Sequence, residues 1–195
     1  MNYPHKKYSV SFRIWHWLNA IAVLGLLGTT FLRKTFLSYK TNARIIQDGL
    51  AKMDMEISVD AAKNIAKEIR SPMWEWHYIF GFMLVLLFIY RLVLHFTSRP
   101  LFSAAELKES GMHDKGVAFL YLVLYLLTGI MSVTGIVMYF GAELGFEKDT
   151  VKAIKEFHEL LMYFFAFFVP VHIAGVFMAE QKQQKGIVSN MIGGE

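Results

Sequence analysis

The chain has 195 residues, of which 55% are hydrophobic and only 18% are charged. A soluble domain usually carries about 25% charged residues, so this composition indicates a membrane protein. The aromatic content of 15% excludes a disordered chain, and the net charge of +4 is spread along the sequence without a basic stripe for nucleic acid. The chain has no cysteine, which excludes disulfides, thiol nucleophiles and cysteine-ligated iron–sulfur clusters and leaves seven histidines as the main candidate ligands.

Four stretches are long and apolar enough to cross a bilayer, which requires about 20 residues in a helix. They cover residues 14–32, 76–96, 117–140 and 157–179, and the last contains Pro170. Because no small-residue cleavage site follows the first stretch, we interpret it as a retained helix and not as a signal peptide. The sequence therefore predicts an all-α protein in which residues 1–195 form a single membrane four-helix bundle.

The connection between the first two spans, residues 33–75, is the longest and is rich in charged residues. Ser58 can cap a helix that ends at Arg70, because Ser71 and Pro72 follow. Apolar residues recur in it at helical spacing: Val59, Ala62, Ile65, Ala66 and Ile69. We predict a short amphipathic helix that lies on the bundle or, alternatively, docks a partner.

The orientation in the membrane is left open by the charges. An even number of spans places both termini on the same side. Lys and Arg are divided almost equally between the two sides, so the positive-inside rule selects neither orientation.

Histidines lie within or beside the predicted spans, where an ionisable group is costly and needs a partner. On the fourth span His158 and His172 are 14 residues apart, which places them about 40° short of four full turns and roughly 21 Å apart along the axis. They therefore share a face but lie at different depths. His16 begins the first span at the depth of His172, and His77 begins the second span at the depth of His158.

These depths predict two cross-helix pairs, His16 with His172 and His77 with His158. Two histidines from separate helices can hold a haem iron between them, whereas zinc usually takes three or four protein ligands. Gly81 and Gly175 follow two of the histidines closely and would let a flat ring approach the backbone. The alternative is a helical membrane protein without redox function, whose histidines only pack.

His95 and Arg91 are further candidates at the far end of the second span. His95 follows His77 by 18 residues, or five full turns, so both point in the same direction about 27 Å apart. His95 could replace His16 or His172 as a ligand, hydrogen-bond a propionate or headgroup, or assist a quinone. Arg91, one turn earlier, could pair with a haem propionate or extend to the membrane surface.

Three motifs together resemble the bacterial cytochrome b561 family. They are RIWHWLN at residues 13–19, WHYIFG at 76–81 followed by YRL at 90–92, and Phe157-His158 with His172 downstream. The family overlaps with the b-type cytochrome subunits of membrane-bound hydrogenases and formate dehydrogenases. The similarity covers all four spans, and the third span carries no ligand.

The resemblance implies two b-type haems and electron exchange with the quinone pool, in a bacterial inner membrane with both termini cytoplasmic. His16 and His172 would hold the cytoplasmic-side haem, and His77 and His158 the periplasmic-side haem. The protein would then be the membrane subunit of a respiratory oxidoreductase, with a periplasmic redox subunit near residues 33–75. The alternative is a stand-alone superoxide:quinone oxidoreductase. The sequence leaves open whether the chain is itself an enzyme and whether it forms a homodimer.

Overall fold

A computed structural model describes residues 8–97, 111–182 and 185–194, without the side chains of Thr97, His113 and Asp114. The fold is all helical, with 85% helix and no strand among the described residues. In chain order the helices are α1 (Val10–Lys34), α2 (Tyr39–Ala51), α3 (Val59–Thr97), α4 (Met112–Tyr139), α5 (Lys148–Lys182) and α6 (Ile187–Ile192).

Helices α1, α3, α4 and α5 are each long and apolar enough to cross a membrane. The predicted all-α class and the four predicted spans are confirmed, and this content is consistent with a four-helix bundle. Side chains such as Leu86 and Phe167 are 67% and 71% exposed, as expected for apolar groups that face lipid. As predicted, Pro170 lies inside the last span.

The predicted end of the loop helix at Arg70 is wrong, because α3 continues without interruption through Pro72 into the second span. Proline has no backbone N–H, so Pro72 cannot bond to the carbonyl of Glu68 one turn earlier. The Ser71 hydroxyl donates to that carbonyl instead, at 3.0 Å, and replaces the missing hydrogen bond. The predicted cap is present, because Ser58 Oγ accepts from the backbone N–H of Ala61 at 3.2 Å.

Replacing Ser71 with alanine is expected to destabilise α3 at Pro72. The substitution leaves the Glu68 carbonyl without its donor and should lower the free energy of unfolding by about 0.5–1 kcal/mol. The measurement is the melting temperature of the detergent-solubilised protein followed by circular dichroism. Ser71→Thr keeps the hydroxyl and should melt like the parent. Equal melting temperatures for all three proteins would contradict the compensating role of Ser71.

Helix α2 was not predicted, and it changes the interpretation of the apolar stripe before the second span. Ala62 and Ala66 are fully buried in a cluster with Ala43 of α2. The larger members of the stripe, Val59 and Ile69, stay more than half exposed. The residues therefore divide by size: the alanines let α2 approach closely, and the branched side chains face outward.

Helix α6, also not predicted, lies on the amino-terminal residues. The Glu180 carboxylate accepts hydrogen bonds from the backbone N–H groups of Gly186 and Val188 at 2.8 and 3.0 Å, at the start of this helix. Arg13 Nη1 donates to the carbonyl of Ile192 at 3.1 Å. The bond from Arg13 to Ile192 joins both ends of the described chain.

The contacts divide the chain into two compact units. The first contains residues Met1–Asn19 and Leu84–Glu195, and the second contains Ala20–Met83. Helices α1 and α3 each contribute residues to both units.

Candidate functional site

His16 and His172 face each other in the first unit. Their ring centroids are 6.2 Å apart and the ring planes are inclined at 53°. Both side chains are half-buried. The structure thus brings together the two histidines that the sequence placed at equal depth on separate spans.

Aromatic side chains pack against both rings of this pair. Phe168, one turn before His172 on α5, stacks on its imidazole with centroids 5.6 Å apart and planes within 16°. Trp17 meets the ring of His16 edge to face at 5.5 Å. Because each ring is packed against an aromatic neighbour, its orientation is restricted before any ligand binds.

The spacing of the two rings fits a single metal ion between them. A histidine nitrogen binds a first-row transition metal at about 2 Å, so imidazoles on opposite sides of one ion have centroids about 6 Å apart. The observed 6.2 Å agrees with that separation. The tilt between the planes is compatible with it, because each ring can rotate about its metal–nitrogen bond. This donor set suits a haem iron with two axial histidines.

His77, in the second unit, is held by a threonine on the neighbouring helix. Its Nδ1 is 2.8 Å from Thr29 Oγ1, and Thr29 is itself buried, with 6% of its surface exposed. The Trp74 ring meets the imidazole edge to face at 5.6 Å. The half-buried His77 ring is therefore fixed from two directions.

His158, in the first unit, has a matching arrangement. Its Nδ1 is 2.8 Å from Thr134 Oγ1 on α4. A Cβ at Gly135 would lie 3.6 Å from His158 Cε1, so the backbone of α4 is close to this ring. The sequence did not point to Thr29 or Thr134, because 48 and 24 residues separate them from their histidines.

The two further candidates occupy different surroundings. His95 lies in the last turn of α3 with its ring edge to face with Phe96 at 5.1 Å. Arg91 Nε donates to the Tyr125 hydroxyl at 3.2 Å, and its guanidinium lies over the rings of Phe12 and Trp15 at 5.9 and 5.7 Å. Arg91 is thus packed against side chains of α1 and α4 within the first unit.

The glycines near two of the histidines leave space beside the backbone. A Cβ at Gly81 or at Gly175 would meet no described atom within 4 Å. This is compatible with a flat ring near these positions.

The model of the family described as prokaryotic cytochrome b561 matches residues 7–194. The chain belongs to this family. No curated protein and no solved structure matches the chain. The resemblance predicted from the span motifs is therefore confirmed over nearly the whole length.

Membership of the cytochrome b561 family implies transmembrane electron transfer with b-type haem. The histidines of this chain fit such a group by donor type, by the spacing of His16 and His172, and by their half-buried positions inside spanning helices. The assignment of each histidine as a ligand stays a prediction.

Proposed function

We propose that this cytochrome b561 carries electrons across the bacterial inner membrane with two b-type haems and exchanges them with quinone, as the membrane subunit of a respiratory oxidoreductase. His16 and His172 would hold one haem, and His77 and His158 the other. The observation that carries the proposal is the 6.2 Å separation of the His16 and His172 rings. The pairing of His77 with His158 rests on their equal depth as predicted from the sequence.

Haem, when bound, supplies a one-electron couple whose potential depends on the axial ligands, burial and hydrogen bonds. The residues of the chain determine how that couple is used. If two histidines hold each haem, the group would serve electron transfer and would not bind oxygen. Phe168 and Trp17 pack against the rings of the first pair and restrict their orientation.

Arg91 is suited to hold a propionate within the first unit. The Tyr125 hydroxyl accepts one of its five N–H groups, and the rings of Phe12 and Trp15 restrain the guanidinium plane. A carboxylate would be stabilised there by a charge-assisted hydrogen bond. We assign Arg91 this role in preference to a surface anchor, and we place the quinone near the same end of α3, where His95 lies.

The proposal is tested by the reduced-minus-oxidised absorption spectrum of the purified protein together with a pyridine haemochrome count per chain. Two b-type haems with narrow low-spin bands are expected. His95→Ala should keep both haems, because His16 already faces His172. His113→Ala is the matched control, because His113 precedes the third span predicted from the sequence. One haem in the parent protein, or loss of a haem only in His95→Ala, would contradict the pairing.

A second candidate function is a stand-alone superoxide:quinone oxidoreductase, and cations near His77 favour it. The Arg33 guanidinium lies 5.7 Å from the ring centroid of Trp74, which contacts His77. Arg70 Nε is buried and has no hydrogen-bond partner among the described residues. Positive groups at this place would attract an anion. Rapid haem reduction by superoxide would favour this function, whereas co-purification of a redox subunit from native membranes would favour the first.

A further inference from the structure

The hydrogen bonds of Thr29 and Thr134 determine which nitrogen of each histidine carries the proton. A threonine hydroxyl has a single proton to donate. Thr29 Oγ1 donates it to the Leu26 carbonyl at 2.9 Å. A carbonyl oxygen has no proton, so this short contact requires the hydroxyl proton to lie between the two oxygens. The 2.8 Å contact with His77 must then be donated by the Nδ1–H of the ring.

The same reasoning applies to the second histidine. Thr134 Oγ1 lies 2.8 Å from the Ile130 carbonyl and 3.1 Å from the Met131 carbonyl, both on its own helix. Its one proton is used by these acceptors, so the ring of His158 donates from Nδ1 across 2.8 Å. In each case the neutral ring has its lone pair on Nε2, which is the nitrogen that would bind the haem iron.

We propose that Thr29 and Thr134 are positioning residues that set the tautomer and raise the donor strength of His77 and His158, and so lower the reduction potential of the haem bound by them. This inference rests on the proposed function of the two histidines. Metal-binding histidines commonly donate their second ring nitrogen to an acceptor, which orients the ring and increases its basicity. A more basic ligand stabilises the ferric state relative to the ferrous state, so the potential falls.

The two predicted haem sites differ in this respect. His172 stacks on the apolar ring of Phe168, and His16 meets the ring of Trp17, whereas His77 and His158 each donate to a hydroxyl. The structure therefore predicts unequal potentials, with the lower potential at the His77–His158 haem. Such a difference would set the direction in which electrons pass between the two sites most readily.

The test replaces each threonine by valine, which has the same shape but no hydroxyl, in the full-length haem-loaded protein. The neighbouring Thr30 donates to the same Leu26 carbonyl at 3.0 Å, and Thr128 donates to the Leu124 carbonyl at 2.7 Å within α4. Thr30→Val and Thr128→Val are thus matched controls for Thr29→Val and Thr134→Val. Thr29→Ser and Thr134→Ser keep the hydroxyl and should restore the parent behaviour.

Three quantities are measured: haem per chain, the two midpoint potentials from a redox titration, and the electron paramagnetic resonance signals of the low-spin ferric haems. We expect the midpoint potential of one haem to rise in both valine variants and the midpoint potential of the other haem to stay constant. If the ferric form loses about tenfold in relative affinity, the rise is about 59 mV for a one-electron couple. The ferric signal of the same haem should shift as its ring is released.

The possible outcomes distinguish failure of the role of the threonines from failure of the proposed haem function. Loss of one haem in the valine variants, with retention in the serine and control variants, would support the same positioning role. Two haems with unchanged potentials and signals in Thr29→Val and Thr134→Val would overturn the inference and leave the proposed function intact. A parent protein without haem would overturn both.

Discussion

Replacing His172 with alanine is expected to remove one haem and to leave the other, whereas replacing His158 should remove the opposite one. Both residues belong to α5 and are separated by 14 residues, or roughly 21 Å along the helix axis. One iron cannot reach both of them. Under the proposed pairing each substitution would remove a ligand from a different haem, and the double variant should contain no haem.

The haem content of these variants is measured by pyridine haemochrome, and the remaining component is identified by its midpoint potential. The single variants should show complementary titrations, each lacking the component that the other retains. His172→Ala should retain the haem proposed for His77 and His158, whose rings contact Thr29 and Thr134. The remaining component of the titration should therefore be the one with the lower midpoint potential. Circular dichroism of each variant controls for loss of the helical fold.

Two other outcomes of this series would contradict the ligand assignment. Retention of both haems by His172→Ala would mean that another histidine binds in its place, with His95 the first to examine. Loss of both haems from each folded single variant would mean that the two sites are not independent. Either result would reject the two predicted pairs.

The features that sequence alone predicted are those that depend on local composition or on helix periodicity. A membrane span is predicted from the length of an apolar stretch, and the four predicted ranges agree with four helices of the structure. The juxtaposition of His16 and His172 follows from the rise per residue, which fixes the depth of a side chain once its span is known. The rings of these two residues are indeed adjacent, at 6.2 Å.

The features that sequence did not predict depend on contacts between distant residues, or on one side chain replacing a hydrogen bond that a neighbouring residue cannot make. Pro72 normally marks the end of a helix, and the sequence pattern does not show that the Ser71 hydroxyl bonds to the Glu68 carbonyl within a continuous α3. Thr29 and Thr134 resemble any other threonine in a membrane helix until the rotation of their helices is known. Their contacts with His77 and His158 depend on that rotation and not on any local pattern.

Replacing Gly25 with alanine is expected to destabilise the second unit and to disturb the His77 site. A Cβ at Gly25 would lie 2.5 Å from two atoms of the Phe80 ring and 2.7 Å from its Cγ. Since Cγ is the ring atom nearest the backbone, turning the ring about its own axis cannot relieve this overlap. Forcing an extra methyl into such a contact costs about 1–3 kcal/mol.

The consequence should extend to the histidine because Thr29 lies one turn after Gly25 on the same helix. If α1 moves away from Phe80 to admit the methyl group, Thr29 Oγ1 moves with it and its 2.8 Å contact with His77 Nδ1 lengthens. We therefore expect a lower melting temperature together with a rise in the potential of the haem proposed for His77. Both are measured on the purified protein, by circular dichroism and by redox titration.

Gly28, three residues further along α1, provides the matched control for this substitution. A Cβ there would meet no described atom within 4 Å, and alanine is favoured over glycine inside a helix by roughly 0.5–1 kcal/mol. Gly28→Ala should therefore melt at or above the parent temperature. Phe80→Ala removes Cγ together with the ring, so in that background Gly25→Ala should cost no further stability. A Gly25→Ala protein that melts like Gly28→Ala would show that Phe80 moves aside freely and that close packing against Gly25 does not hold the His77 site.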